Sequence, residues 1–321
     1  MTSDPMAAKA LQEKKIVLPG GAGLVGQNLV ARLAAIGARN VVVIDKNAHN
    51  LGILRTMHPW LTAIEADLSH PGPWCAHFAD ADAVVMLQAQ IGGIDYADFE
   101  RNNLTSTGIV LDQLRQHSAQ LIHISSSVIN SVADDFYTRS KIAQEAQVVA
   151  SGLPVTILRP TLMFGWFDRK HLGWLSRFMK KVPVFPVPGH GRYMRQPLYV
   201  GDFCDIILSC LTRGGPQGAF NISGQERIDY IDIIRAIRKA NRLNRPILKI
   251  PYRLFHLLLA TWALFDRNPP FTTQQLAALV APDDFEVIDW PTLFSVKATP
   301  LDQAFEQTFN DPTYTQITLE F

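Results

Sequence analysis

The chain has 321 residues, 47% hydrophobic and 18% charged, enough to bury a large core in one large domain or two unequal ones, and wholesale disorder is excluded. Thirty basic residues against 29 acidic ones give a formal charge of +1, which carries no electrostatic footprint for nucleic acid. Cys75, Cys204 and Cys210 lack metal-ligand spacing and make a disulfide framework improbable. Together with a start that has no apolar signal region, this makes a reducing, cytoplasmic location the expectation.

In chain order, Ile16-Val17-Leu18 reads as a short buried strand, followed by a Gly-rich turn and a helix over 24–36 that stops at Gly37. Val41 to Ile44 is a second strand closed by Asp45, 63–66 a weaker third before Asp67, and 83–87 a fourth. A helix is predicted over 98–117, a fifth strand over 121–124 running into Ser125-Ser126-Ser127, a helix from Tyr137 to about 150, and a sixth strand over 155–159. Short apolar runs alternating with helical periods predict an α/β fold with a parallel, doubly wound sheet. Residues 183–197 hold Pro183, Pro186, Pro188, Gly189, Gly191 and Pro197 and read as loop. Residues 198–200 and 219–222 are expected to return to the sheet around a helix over 202–211, and 226–321 read as largely helical. The apolar stretch within 250–267 reads as a buried helix, with a dimer contact or an interfacial membrane helix as alternatives. It is too short for a bilayer span of about 20 residues.

Gly20, Gly23 and Gly26 form G-x-x-G-x-x-G between strand and helix. Such a turn lets a pyrophosphate approach the backbone, with Leu24 and Val25 opening the helix whose N-terminus favours an anion. Asp45, nineteen residues after Gly26, can accept from both ribose hydroxyls and repel a 2′-phosphate, which favours NAD over NADP; Lys46 partly offsets that repulsion. Asp67-Leu68 can border an adenine or simply form a turn. Gln88 and Ser125, just past the fourth and fifth strands, are further cofactor candidates. These features predict a Rossmann domain over 1–165, with 197–225 returning to it, and a smaller, mostly helical substrate lobe from 166–196 and 226–321.

Tyr137 and Lys141 are one helical turn apart on one face. A free tyrosine, with a pKa of about 10, is too weak an acid to serve as a base at neutral pH; a nearby ammonium lowers it and suits it to move a proton as hydride is exchanged. Lys141 can also hold the nicotinamide ribose, and Ser127 can hydrogen-bond the reacting oxygen. His171, His190 and His256 have no metal spacing, so no metal site is expected; His190, in the Pro/Gly loop, can border substrate. Trp166 and Trp174 read as packing residues.

With these motifs in this order, most of the chain resembles the extended short-chain dehydrogenase/reductase family, the NAD-dependent epimerase/dehydratase group acting on nucleotide sugars. The resemblance rests on Gly20, Gly23 and Gly26, on Asp45, and on Asn102-Asn103-Leu104, where the family has an asparagine that steadies the active-site helix. It extends to the serine run ending at Ser127, the pair Tyr137 and Lys141, the acid Glu145, the Leu158-Arg159-Pro160 and Phe164-Gly165 stretch, and the segment from Arg195 to Asp202. It implies Ser127, Tyr137 and Lys141 as catalytic residues, Asn103, Ser125 and the glycine turn at NAD, and Arg195 with Arg192 at the substrate's diphosphate. It also implies a homodimer formed by the helices near 98–117 and 137–150.

Three features depart from the pattern: Leu162 replaces an asparagine, Ile129-Asn130 replaces the usual aromatic-glycine pair, and only ten residues separate Ser127 from Tyr137. They resemble an atypical branch that includes accessory subunits of respiratory complexes. Three functions follow as expectations: first a nucleotide-diphosphate-sugar epimerase, then a keto-sugar or lipid-alcohol reductase, and third a non-catalytic nucleotide-binding subunit.

Overall fold

The computed structural model describes residues 9, 11–131, 134–265, 271–280 and 286–320. Its strands, in chain order, are β1 (Ile16–Pro19), β2 (Val41–Asp45), β3 (Thr62–Glu65), β4 (Ala83–Met86), β5 (Gln120–Ile124), β6 (Val155–Pro160) and β7 (Met163–Phe164). They continue with β8 (Phe185–Pro188), β9 (Met194–Arg195), β10 (Leu198–Tyr199), β11 (Gly218–Ile222), β12 (Ile228–Asp229) and β13 (Ile247–Ile250). The helices are α1 (Leu24–Ala35), α2 (Ala48–Met57), α3 (Tyr96–Phe99), α4 (Ser106–Leu114), α5 (Phe136–Ala150) and α6 (Leu172–Lys181), then α7 (Val200–Arg213), α8 (Tyr230–Ala240), α9 (Tyr252–Phe265), α10 (Thr273–Val280), α11 (Trp290–Phe294) and α12 (Leu301–Asn310).

Seven strands pair in parallel in the order β11-β6-β5-β4-β1-β2-β3. Alternate residues of each inner strand enter opposite cores, which is why these strands read as unbroken apolar runs. On β1, Ile16 and Leu18 join Leu29 and Leu33 of α1 and Phe203 and Ile207 of α7, while Val17 joins Val110 and Leu114 of α4 and Val148 of α5. β2 repeats the split, with Val41 and Val43 in the first core and Val42 and Ile44 in the second. A third core, around Phe164, Phe185, Tyr230, Ile234 and Phe305, joins β7 and β8 to α8 and α12. The sheet order turns back between β1 and β4, so loops leave their carboxyl ends in opposite directions and a crevice opens there.

α1 ends as its sequence predicts. Gly37 takes a φ of 83°, and the N–H groups of Gly37 and Ala38 donate to Ala34 O and Leu33 O at 3.0 Å each. Elsewhere tertiary contacts override the local reading. The helix predicted over 98–117 divides into α3, a wide turn over Glu100–Thr105, and α4, because the wide turn rotates Asn103 to complete burial. The 183–197 loop contains β8, parallel to β13, and β9, antiparallel to β12. β8 tolerates Pro186 and Pro188 because it pairs on one edge only. Residues 198–199 do not return to the main sheet; β10 pairs with β7 instead, whereas 219–222 return as part of β11.

The apolar stretch within 250–267 is helical over α9 but not buried: Leu259 is its one buried residue, while Leu254, Leu257, Leu258, Leu264 and Phe265 are exposed. Residues 266–267 of that stretch lie outside the described residues, as do 132–133 of the short Ser127–Tyr137 link. Among the described residues no helix is long and apolar enough to cross a membrane.

Candidate active site

A cavity of about 760 Å³ opens at the carboxyl ends of β1, β2 and β4, a size that suits a dinucleotide. Gly20, Gly23, Leu24, Asp45, Lys46, Asp67, Leu68 and Gln88 line it, all eight of them cofactor candidates from the sequence. Val25 and Gly26 are buried behind the turn. The three glycines do different jobs. Gly20 has a φ of 74°, and a Cβ there would overlap the backbone of Gln88. A Cβ at Gly26 would overlap the Gly21 carbonyl, so this glycine lets helix and turn touch. A Cβ at Gly23 would meet nothing closer than Gly20 O at 3.9 Å. The space before Gly23 is thus not needed for packing, and a pyrophosphate at the helix N-terminus would fill it.

Asp45 is held rather than loose. Its Oδ2 accepts from Ala22 N and its Oδ1 from Asn47 N, each at 3.0 Å, and a carboxylate with about four acceptor sites keeps capacity for a ribose hydroxyl beside these N–H groups. Burial raises its pKa against the opposing pull of the Asn47, Ala22 and Lys46 N–H groups and the Lys46 ammonium. Lys46 Nζ donates to Asn102 Oδ1 at 2.7 Å, and Asn102 Nδ2 to Gln90 Oε1 at 3.0 Å, a polar bridge from the end of β2 to the wide turn. Asp67 both lines the cavity and forms a turn, its Oδ1 accepting from Ser69 N and Oγ.

The proposed proton-handling groups lie outside the cavity lining, at the end of β5 and on α5. Asp135 caps α5 by accepting from Thr138 N at 2.7 Å, which places Tyr137 in the first turn. The hydroxyl in hydrogen-bond contact with the phenol is that of Ser126; Ser127 is buried in the short turn that follows. The Tyr137 pKa is raised, not lowered. Burial disfavours the phenolate and Asp135 adds repulsion, while the Ser126 hydrogen bond opposes both.

The expected lowering by Lys141 is absent because its amine points into the core. Lys141 Nζ donates to Ile124 O at 3.0 Å and Gln144 Oε1 at 2.6 Å, and burial pulls its pKa down to about 7 against the pull of Glu145. Beneath it His123 is fully buried, and burial with the nearby Lys141 holds it far below its usual pKa, as neutral imidazole. Gln144 Nε2 continues the polar chain to Thr107 Oγ1 at 2.9 Å. Asn103 Nδ2 donates to Ser140 Oγ of α5 at 2.9 Å, and Asn103 Oδ1 accepts from Gln90 N at 2.6 Å, tying α5 to the cavity rim. Gln88 Oε1 and Ser125 Oγ are buried without a hydrogen-bond partner among the described residues. Buried polar atoms of this kind at the ends of adjacent strands suit a ligand that brings its own donors.

The diphosphate candidates are dispersed. Arg195 is buried, its guanidinium donating to Met194 O at 2.8 Å and to Leu279 O, whereas Arg192 is exposed on the neighbouring loop. Glu145 forms a partly buried ion pair with Arg159. Trp166 is a packing residue, its ring tilted 30° against Tyr314 with 4.4 Å between ring centroids. His171, to which the sequence assigned no metal or substrate role, lines the cavity, as do Asn47, Asn50, Phe167, Arg169 and Lys170, with Leu319 and Glu320 from the far end of the chain. Asn47 and Asn50 follow Asp45 closely and were within reach of the motif; the others carry no local signal.

The comparisons agree with this geometry. The model of the NAD dependent epimerase/dehydratase family matches residues 16–223. A dTDP-glucose 4,6-dehydratase from Actinoplanes sp. is 25% identical over 262 residues, spanning 70% of this chain and 81% of that protein. Subunit 9 of the NADH dehydrogenase [ubiquinone] 1 alpha subcomplex of Arabidopsis thaliana mitochondria is 26% identical over 208 residues, 61% of this chain and 50% of that protein. The crystal structure of UDP-glucuronic acid 4-epimerase from Bacillus cereus in complex with NAD superposes with a TM-score of 0.71 at 20% identity, covering 94% of this chain and 98% of that one. The glycine turn, the acid closing β2, the switch-point cavity and the match across the whole sheet have one joint reading: the chain belongs to the NAD dependent epimerase/dehydratase family of extended short-chain dehydrogenases/reductases.

Proposed function

We propose that the protein is an NAD-dependent epimerase of nucleotide-diphosphate sugars. The observation that carries the reading is the cavity in which Gly23 leaves open space before the α1 N-terminus while Asp45 keeps acceptor capacity beside it. Bound there, NAD would supply a hydride acceptor that later returns the hydride. The glycine turn would bind its pyrophosphate and Asp45 its adenosine ribose. Gln88 and Ser125, with their buried oxygens, would meet the nicotinamide half.

Tyr137 would exchange the proton of the sugar hydroxyl, with Ser126 or Ser127 fixing the oxygen. Lys141 would stabilise the phenolate after turning from Ile124 O and Gln144 toward the ring, a rotation about its flexible stem. Asn103 would hold α5 in register with the rim. Arg195 or Arg192 would engage the sugar's diphosphate.

Net epimerisation consumes no reductant, which separates it from a keto-sugar or lipid-alcohol reductase. The test is incubation of the purified protein with NAD and UDP- or dTDP-sugars, followed by NMR of the sugar. A changed configuration at one carbon without net NADH supports an epimerase; stoichiometric NADH turnover with a ketone replaces that reading by the reductase.

A second reading, a nucleotide-binding subunit without catalysis, is favoured by the inward Lys141, the raised Tyr137 pKa and the similarity to the respiratory subunit. It prevails if Tyr137→Phe leaves the biological role intact while Gly23→Ala abolishes it. Three free cysteines support the cytoplasm as location, two of them buried with thiols pushed up to about 12. A homodimer through α4 and α5 is supported by Ile142 and Val149, exposed on one face of α5.

A further inference from the structure

The cavity wall contributed by the second half of the chain carries two cations, Arg169 and Lys170, beside the carboxylates of Asp168 and Glu320, and its loop is held by hydrogen bonds. Arg169, Lys170 and His171 line it. Asp168, itself buried, organises them: its Oδ1 accepts from Lys170 N and His171 N and its Oδ2 from Gly173 N, all at 2.9 Å. Arg177 braces the same loop from behind, donating to Asp168 O at 3.0 Å and Arg169 O at 2.5 Å.

The loop is docked on the helix that follows the glycine turn. Asn28 Nδ2 donates both to Leu24 O and to Trp166 O at 2.9 Å, and the Arg32 guanidinium covers the Trp166 ring at 5.4 Å. Gly23 and Leu24 line the same cavity as the two cations. Lys170 Nζ reaches the opposite lip, 3.9 Å from where a Cβ on Gly92 would lie. The C-terminal segment completes a roof. Leu319 O accepts from Arg169 Nη1 at 3.1 Å, and Asn50 of α2 bonds both backbone groups of Glu320, at 2.9 and 3.0 Å.

Burial takes Arg169 down to about 10 with Arg177 adding repulsion and Glu320 opposing, and burial with Arg169 lowers Lys170. Cations destabilised in this way gain from an incoming anion.

We propose that Arg169 and Lys170 form a clamp that grips a diphosphate joining two nucleosidic halves against the Gly20–Leu24 turn, so that the dinucleotide is held from both sides. This rests on the NAD-binding reading above and adds to it two named residues from the second half of the chain. The same chemistry could serve the diphosphate of a nucleotide sugar, and the test separates the two.

Binding of NAD, ADP-ribose, adenosine and UDP is measured by calorimetry at low and physiological salt for the native protein, Arg169→Gln, Lys170→Gln, the double variant and Arg169→Lys, with thermal unfolding as a check on folding. The double variant should bind NAD and ADP-ribose roughly 10- to 100-fold more weakly, as loss of one or two charge-assisted hydrogen bonds requires, with adenosine unchanged and a shallower salt dependence. Arg169→Lys should restore most of the loss, and NAD should dissociate correspondingly faster from the double variant. Unchanged affinity for NAD and ADP-ribose overturns the clamp while leaving NAD binding in place. Weakened UDP binding with NAD intact overturns it in favour of the substrate diphosphate. A native protein that binds adenosine and UDP but neither dinucleotide nor ADP-ribose overturns the NAD reading together with the clamp.

Discussion

The burial of Lys141 gives a stability test that needs no substrate. Its pKa falls from 10.5 to about 7 in the folded chain, a difference worth about 5 kcal/mol at roughly 1.4 kcal/mol per unit. The sign follows from proton counting. Below pH 7 folded and unfolded chains both carry the proton, and the folded state bears the full cost of burying an ammonium. Between about 7 and 10.5 the unfolded chain holds a proton that the folded chain has released, so stability rises with pH. Lys141→Met removes the titration and fills similar volume, but leaves Ile124 O and Gln144 Oε1 without this donor, at about 1–3 kcal/mol each. These effects offset each other near pH 6, so the difference in pH profile is the diagnostic quantity. From pH 6 to pH 9 the native protein should gain about 3 kcal/mol on the variant, read from urea-denaturation midpoints at matched slopes. Parallel profiles across that range would mean that Lys141 titrates near its ordinary pKa and that the inward, desolvated amine is wrong.

The glycine turn predicts a contrast between neighbours. Gly26→Ala should lower stability by about 1–3 kcal/mol in thermal unfolding, because helix and turn must separate. Gly23→Ala should leave the melting temperature nearly unchanged while weakening NAD in calorimetry; equal losses of stability at both positions would contradict the open cradle. Asp202 is buried, accepts from Thr299 N and Oγ1, and has its pKa raised by burial to about 6. The folded chain therefore takes up a proton between about pH 4 and 6 that the unfolded chain does not. Relative to Asp202→Asn, the native protein should lose up to about 3 kcal/mol as pH rises through that window. A difference that is flat with pH would refute the shift.

The inner strands, the helices behind them and the glycine turn were legible because each is written in local chemistry. Val41 to Ile44 is apolar throughout because both faces of β2 are covered, and Gly37 ends α1 because only a residue at ease with positive φ continues there. Asp45 was readable for the same reason, as a carboxylate at a set distance from a set of glycines. The wide turn at Asn102 and Asn103, the pairing of β8 with β13 and the exposure of α9 were not legible. Each depends on a partner distant in sequence, which outweighs the local preference for helix, loop or core. Tertiary structure alone decided that Tyr137 meets Ser126 and that Lys141 turns inward, since helical spacing sets a face but not the direction of a flexible side chain on it. It also decided the roof of the cavity. Trp166 reaches Asn28 across 138 residues and Glu320 reaches Asn50 across 270, contacts that no pattern within a short window can encode. The sequence by itself determined the sheet and the floor of the site, through periodicity and turn chemistry; folding over long distances determined what closes over it.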